Sequence, residues 1–257
     1  MTIDKRNIWD AAIGLQAVDG LKPSEFLKKL AEDNISGLKS FYDINRELKA
    51  KYSTTNTMQM EADFVAFRIA VLLEKCGFVM SSDFFRSIHS FLFEDIIEPE
   101  IVGEFRKYNI SKREMILLGD SVRYGDHLSI ESKVNQVLNE EKAYKYSNPL
   151  TENDIDHLSS FTSKLWQIHP FGEGNTRTTA VFIELYLKSL GYKMNNDPFK
   201  NSSDYYRNAL VRSCNSMNTD YCKPTNEFLN RFYMNLLNDS DFVLDSFDLI
   251  ISNNGDK

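Results

Sequence analysis

The chain has 257 residues, 42% of them apolar, enough to bury one substantial core with a small appended lobe. A net charge of −7 argues against a generic nucleic-acid surface, which would be basic overall, while a local basic pocket stays compatible with it. Cys76, Cys214 and Cys222 are scattered, with no CxxC pair, and so suggest neither a disulfide framework nor a zinc site.

No apolar run reaches the roughly 18 residues of a membrane span. The opening MTIDKRNIWD also lacks a signal peptide's apolar stretch, so a cytoplasmic location is expected. Only 11 glycines and 6 prolines punctuate the chain, and apolar residues recur mostly every three or four positions. That spacing predicts an all-α fold. Residues 1–55 are more charged than the rest and predict a separate helical lobe, a candidate regulatory unit. Within it, Pro23-Ser24 is a start signal for a helix over 24–34 carrying Phe26, Leu27 and Leu30. Residues 61–76 are apolar nearly all round and end at Gly77, which predicts a buried helix. Residues 83–97 place Phe84, Ile88, Leu92 and Ile96 on one stripe. Residues 108–124 hold β-branched side chains on both sides of Gly119-Asp120, the pattern of a short β-hairpin or extended flap. Thr151 is a natural N-cap for a helix over 151–168 with Ile155, Leu158, Phe161, Leu165 and Ile168 on one face. Residues 177–190 are strongly apolar and stop at Gly191, and a last helix near 224–238 follows Pro224. The core thus spans 56–240, followed by a tail over 241–257 that frays at SNNGDK.

The stretch least like structural sequence is HPFGEGNTRT, residues 169–178. His169 closes one helix and Arg177 lies in the first turn of the next. Gly172, Glu173, Gly174 and Asn175 connect them. Two glycines allow positive φ and point backbone N–H groups at one spot, which makes an anion nest. The following helix N-terminus adds its own free N–H groups and positive dipole end, and Arg177 adds a fixed charge with bidentate phosphate geometry. A carboxylate such as Glu173 beside phosphates is repulsive unless a cation such as Mg²⁺ bridges them. His169 sits at the mouth with a pKa suited to taking a proton near neutrality. Together these residues predict attack of a hydroxyl on phosphorus. The chain lacks the Gly-Lys-Ser/Thr ending of a P-loop and the HRD and DFG elements of a protein kinase.

At these residues the sequence resembles the Fic family, whose motif is HxFx(D/E)GNGRxxR. His169, Phe171, Glu173, Gly174, Asn175 and Arg177 stand at matching positions. The resemblance covers about residues 80–215. SIHSFLFED (87–95) is similar to the helix upstream of the family's flap, GEFRKYNISK (103–112) to its lead-in, LLGDSVRY (117–124) to the flap itself, and PFKNSSDYYRNAL (198–210) to the segment after the motif helix. It implies a Fic-type helical bundle with a β-hairpin flap and an N-terminal helical extension. It also implies AMP transfer from ATP to a Tyr, Ser or Thr hydroxyl of a protein target or of the chain itself. On that resemblance His169 is the base and Glu173 holds Mg²⁺. Gly172, Gly174, Asn175, Thr176 and Arg177 seat the phosphates, and Phe171 anchors the loop. Leu117, Leu118, Gly119, Asp120 and Ser121 align the target segment by β-augmentation. Neither a membrane nor a nucleic acid is an expected partner, and a homodimer stays open.

Thr176 stands where the motif has its third glycine and Ala180 where it has its second arginine. In the Doc-type kinase branch of the family, which also lacks that arginine, a lysine at the Thr176 position helps turn the nucleotide so that the γ-phosphate moves. Uncharged Thr176 keeps AMP transfer first, with Doc-like phosphate transfer second and a catalytically silent nucleotide-binding or toxin–antitoxin scaffold third. Many Fic proteins carry an inhibitory (S/T)xxxE(G/N) helix whose glutamate pairs with the second arginine. The candidates here are Glu61, in Thr57–Glu61, and Ser36, in Asn34-Ile35-Ser36-Gly37. Because Ala180 has no guanidinium, the usual lock cannot form there, and weak or altered autoinhibition by the N-terminal lobe is expected.

Overall fold

The computed structural model describes residues 4–54, 57–215 and 223–251. Helices start where short polar side chains can take up the free N–H groups of a first turn. Asp4 opens α1 (Lys5–Gly14), Ser24 opens α2 (Glu25–Ile35) and Ser40 opens α3 (Phe41–Lys51) in a capping box with Asp43. Thr57 caps α4 (Met58–Lys75) and Ser81 caps α5 (Ser82–Phe93). After α6 (Ile130–Lys142), Thr151 and Asp154 box the start of α7 (Glu152–Ile168). Then come α8 (Asn175–Ser189), α9 (Asp197–Cys214) and α10 (Glu227–Leu237). The fold is all-α, as the spacing predicts.

Helix α8 is the centre of the bundle. Every residue from Asn175 to Leu187 is buried, with α4, α5 and α7 packed around it. A helix enclosed over most of its length has no wide polar face, which explains why 177–190 is strongly apolar. The chain turns out of α8 at Gly191, with φ of 88°. Helix α1 packs on α4 and α9, and it approaches α9 so closely that a Cβ on Gly14 would stand 2.0 Å from the Phe199 carbonyl oxygen. The expected division near 55 falls on residues 55–56, outside the described residues, as do Cys222 and the SNNGDK tail. Buried side chains on both sides of it, from Ile8 to Ile251, join one apolar cluster.

The hairpin expected over 108–124 is not formed. Met115–Leu117 winds as a single 3-10 turn, and Leu118 and Gly119 both take left-handed backbone, with φ of 56° and 89°. Two left-handed residues in succession curl the loop onto itself, so Glu114 N–H donates to Asp120 O at 2.8 Å and Gly119 N–H to Glu114 O at 2.9 Å. Val122 forms an isolated bridge with Asn215 instead, and Ile251 N–H donates to Ile116 O at 3.0 Å, laying the end of the described chain over this loop.

One buried carboxyl in α8 lies away from the motif. Glu184, 2% exposed, accepts from Asn196 Nδ2 at 3.1 Å through Oε2, while its Oε1 and Asn196 Oδ1 have no partner among the described residues. Burial pushes its pKa up to about 8. The folded chain therefore holds a proton that the unfolded chain releases above pH ~4.5, so stability falls as pH rises from there to about 8. Glu184→Gln keeps the shape, adds an N–H donor and removes the titration. Its melting temperature is expected to match the parent's near pH 5 and exceed it at pH 8; thermal scans showing equal pH slopes would disprove the assignment.

Candidate active site

Helix α7 delivers His169 in left-handed backbone, φ 50° and ψ 59°, a conformation that costs a non-glycine residue about 1–2 kcal/mol. The surroundings hold it there. His169 N–H donates to Trp166 O at 2.9 Å, and Arg106 Nε donates to the His169 carbonyl at 2.8 Å. The ring Nδ1 lies 3.3 Å from the same Trp166 carbonyl. A carbonyl can only accept, so this contact assigns the ring proton to Nδ1 and leaves the Nε2 lone pair free. Nε2 is buried without a partner among the described residues, in a side chain only 3% exposed. Its ring lies 4.2 Å from that of Tyr124 and edge-on to Trp166 at 5.1 Å. Burial, then the charges of Lys112, Arg106 and Arg207, push its pKa well below the ordinary range. The imidazole is a neutral, oriented base.

The connection from Pro170 to Asn175 is built from three supports. Phe171 is fully buried, stacked on His89 at 4.0 Å and flanked by Phe85 and Phe105. Asn175 spends its side chain on the loop itself, accepting from Phe171 N–H and donating to Phe171 O, both at 2.9 Å. His89 accepts from Gly103 N–H at 2.9 Å through Nδ1, which leaves its Nε2–H to reach the Glu173 carbonyl at 3.2 Å. Burial pushes the His89 pKa down to about 4, so this arrangement is kept at neutral pH.

The two glycines differ. Only Gly174 has positive φ, 69°, and a Cβ there would also fall 2.3 Å from the Phe93 ring. Gly172 lacks a positive φ, and a Cβ there would stand 2.9 Å from the Tyr108 hydroxyl, the far end of an exposed side chain that can swing aside. Glu173 is exposed on the loop.

Thr176, the departure from the motif glycine, accepts from Trp166 Nε1 at 2.9 Å. It ties α8 to the turn that carries the base. Thr176→Val keeps the shape and orphans a buried indole N–H, which is expected to lower stability by about 1–2 kcal/mol in urea unfolding. A variant as stable as the parent would show that the bond contributes nothing.

Arg177, only 4% exposed at its side chain, is already surrounded by acceptors. Glu61 Oε1 pairs with Nη2 at 2.7 Å, and Gln16 Oε1 lies 3.3 Å from Nη1. Asp19 Oδ2 is 2.7 Å from Nε, an ion pair outside hydrogen-bond angles. The guanidinium also faces the Phe93 ring at 4.8 Å. Glu61 therefore meets the first motif arginine, while Ala180 is simply core. Ser36 caps the end of α2, its hydroxyl donating to Glu32 O and Asp33 O.

Tyr124, whose ring faces His169, ties that side chain to Glu114 at the start of the flap. Tyr124 donates to Glu114 at 3.3 Å, and Arg207 holds Glu114 with both Nη atoms, at 2.8 and 3.0 Å. Leu117 is buried, Leu118 is exposed, and Gly119, Asp120 and Ser121 complete the turn. Gln16, Asp19, His89, Arg106 and Tyr124 are supports that sequence spacing does not reveal, because their partners are distant along the chain.

With that geometry described, comparison with known proteins adds the family. Residues 79–187 match the model of the Fic/DOC family, and the chain carries a Fic domain there. That family includes AMP transferases and other transferases. A solved Fic domain containing signaling protein from Bacteroides thetaiotaomicron aligns with 95% of this chain and 89% of its own at 15% identity, with a TM-score of 0.46. No curated protein matches the sequence. Among the described residues, no helix is long and apolar enough to cross a membrane.

Proposed function

We propose that the chain is a protein adenylyltransferase, moving AMP from ATP to a Tyr, Ser or Thr hydroxyl. The carrying observation is His169: a buried imidazole whose Nδ1 proton is committed to Trp166 O, leaving an Nε2 without a partner among the described residues, at the turn that leads into the start of α8. In this reading Nε2 takes the acceptor proton, and the oxygen attacks the α-phosphorus. Backbone N–H groups at the start of α8 stabilise the charge that develops. Asn175 shapes the loop from within, while Gly172, Gly174 and Thr176 provide its backbone.

Glu173 is a single exposed carboxylate, and no group of three or more metal-binding side chains exists among the described residues. That fits a cation held largely by phosphate oxygens. Glu173 would hold Mg²⁺, which when bound neutralises phosphate charge. The turn from Leu118 to Ser121 would align the acceptor segment. The N-terminal lobe, reaching Arg177 through Asp19, would restrain the site until displaced.

Incubation with ATP labelled on the α- or the γ-phosphate tests the reaction. Protein label from α alone is expected. Label from γ alone would replace the proposal with phosphate transfer, and bound but untransferred nucleotide would replace it with a silent binder.

A further inference from the structure

The geometry points to Tyr108 as an intramolecular acceptor, a self-modification site in the same chain; this rests on the AMP-transfer reading above. Tyr108 is 51% exposed, and its hydroxyl stands over Gly172, 2.9 Å from where a Cβ would be. That places a phenol directly on the phosphate-binding loop. Its backbone is also clipped to the base. Arg106 N–H donates to Pro170 O at 2.8 Å, and the Arg106 guanidinium bonds the carbonyls of Tyr108, Gly125, Ile168 and His169. Residues 106–108 therefore run alongside 170–172, with Tyr108 level with the loop.

The neighbouring hydroxyls are already engaged. Thr176 receives the Trp166 indole proton, Thr178 donates to Gly174 O at 2.9 Å, and Tyr124 donates to Glu114. Tyr108's hydroxyl makes no hydrogen bond among the described residues. It is a nucleophile-class group on a half-exposed side chain with two rotatable bonds. In this proposal, rotation about them moves the oxygen from Gly172 toward His169.

The step balances. The Tyr108 O–H proton passes to His169 Nε2, the phenolate oxygen forms a bond to the α-phosphorus, and the α–β bridging P–O bond breaks. Pyrophosphate leaves with that electron pair. The modified side chain then occupies the loop it came from, so one chain labels itself once.

Mass spectrometry of the full-length chain after incubation with ATP and Mg²⁺ tests this, using the parent and the chain carrying Asp19→Asn and Glu61→Gln. Adenylate on Tyr108 is expected, at a rate per chain independent of protein concentration. Tyr108→Phe should lower total label at least about tenfold while ATP affinity stays unchanged. Adenylate confined to another residue, label undiminished in Tyr108→Phe, or a rate per chain that grows with concentration would overturn the self-acceptor assignment and leave the transfer reading intact. ATP bound without any covalent adenylate, in the parent and the unlocked chain alike, would overturn both.

Discussion

Replacing Asp19 with Asn and Glu61 with Gln is expected to tighten ATP binding about ten- to a hundredfold and to speed self-labelling with it. Arg177 is the one fixed cation the loop offers to a phosphate. Its Nε and Nη2 each face a carboxylate oxygen at 2.7 Å, and Gln16 faces Nη1. A phosphate must displace these groups before it can use the guanidinium. Asp19 and Glu61 keep 39% and 26% of their side chains exposed, so water screens each pair, and roughly 1 kcal/mol apiece is a fair allowance. Two such terms amount to between one and two decades of affinity. The same substitutions act oppositely on the empty fold. They leave a buried guanidinium short of charge partners, which lowers the melting temperature without ligand. ATP or pyrophosphate should then restore it by supplying the missing negative charge. That crossed response is the diagnostic. General loosening of the N-terminal lobe would lower stability and weaken binding together, and an unchanged dissociation constant would remove the lock altogether.

Sequence patterning is informative wherever partners are close along the chain. The HPFGEGNTRT stretch is legible because the candidate base and the loop-forming residues lie within one turn between two helices. The caps Ser24 and Thr151 are legible because a capped N–H lies three residues away. Helix α4 over 61–76 and helix α8 over 177–190 announce themselves by being apolar nearly all round and strongly apolar, respectively, although α4 gives way at Cys76, one residue before Gly77.

What the pattern does not show is tertiary. Asp19 and Arg177 are joined because the 3-10 turn over Leu15–Asp19 packs against α8 and α9. Ala180 excludes a guanidinium at its own position, yet nothing local tells that Arg177 is captured instead. The role of Thr176 is similarly hidden, since its partner is an indole ten residues earlier on another helix. The flap misleads for a physical reason. Its β-branched residues suit strands, but a strand needs a partner. Left-handed Leu118 and Gly119 turn this segment back before a ladder can start.

His169→Ala is expected to lower transfer by about two to four decades while nucleotide binding persists, since the imidazole contributes a proton acceptor and no phosphate contact. Retained transfer would dismiss the base. The pH dependence separates this role from simple packing. An ordinary histidine loses its lone pair to a proton below pH ~6.5. Burial, reinforced by Lys112, Arg106 and Arg207, pushes the His169 pKa well below that in the free chain. Protonation, not deprotonation, stops a general base, so kcat/KM should hold steady as pH falls through the usual histidine range and decline only further down. Bound ATP brings negative charge to the same mouth and favours the protonated ring, which raises the pKa. The acid limb of kcat, which reports the complex, should therefore lie at higher pH than that of kcat/KM, which reports the free chain. Lys112→Gln removes the largest of the opposing charges and should move the kcat/KM limb upward. If both limbs coincide near pH 6.5 and ignore Lys112, the titrating group is not His169, and Nε2 is not the atom that takes the proton.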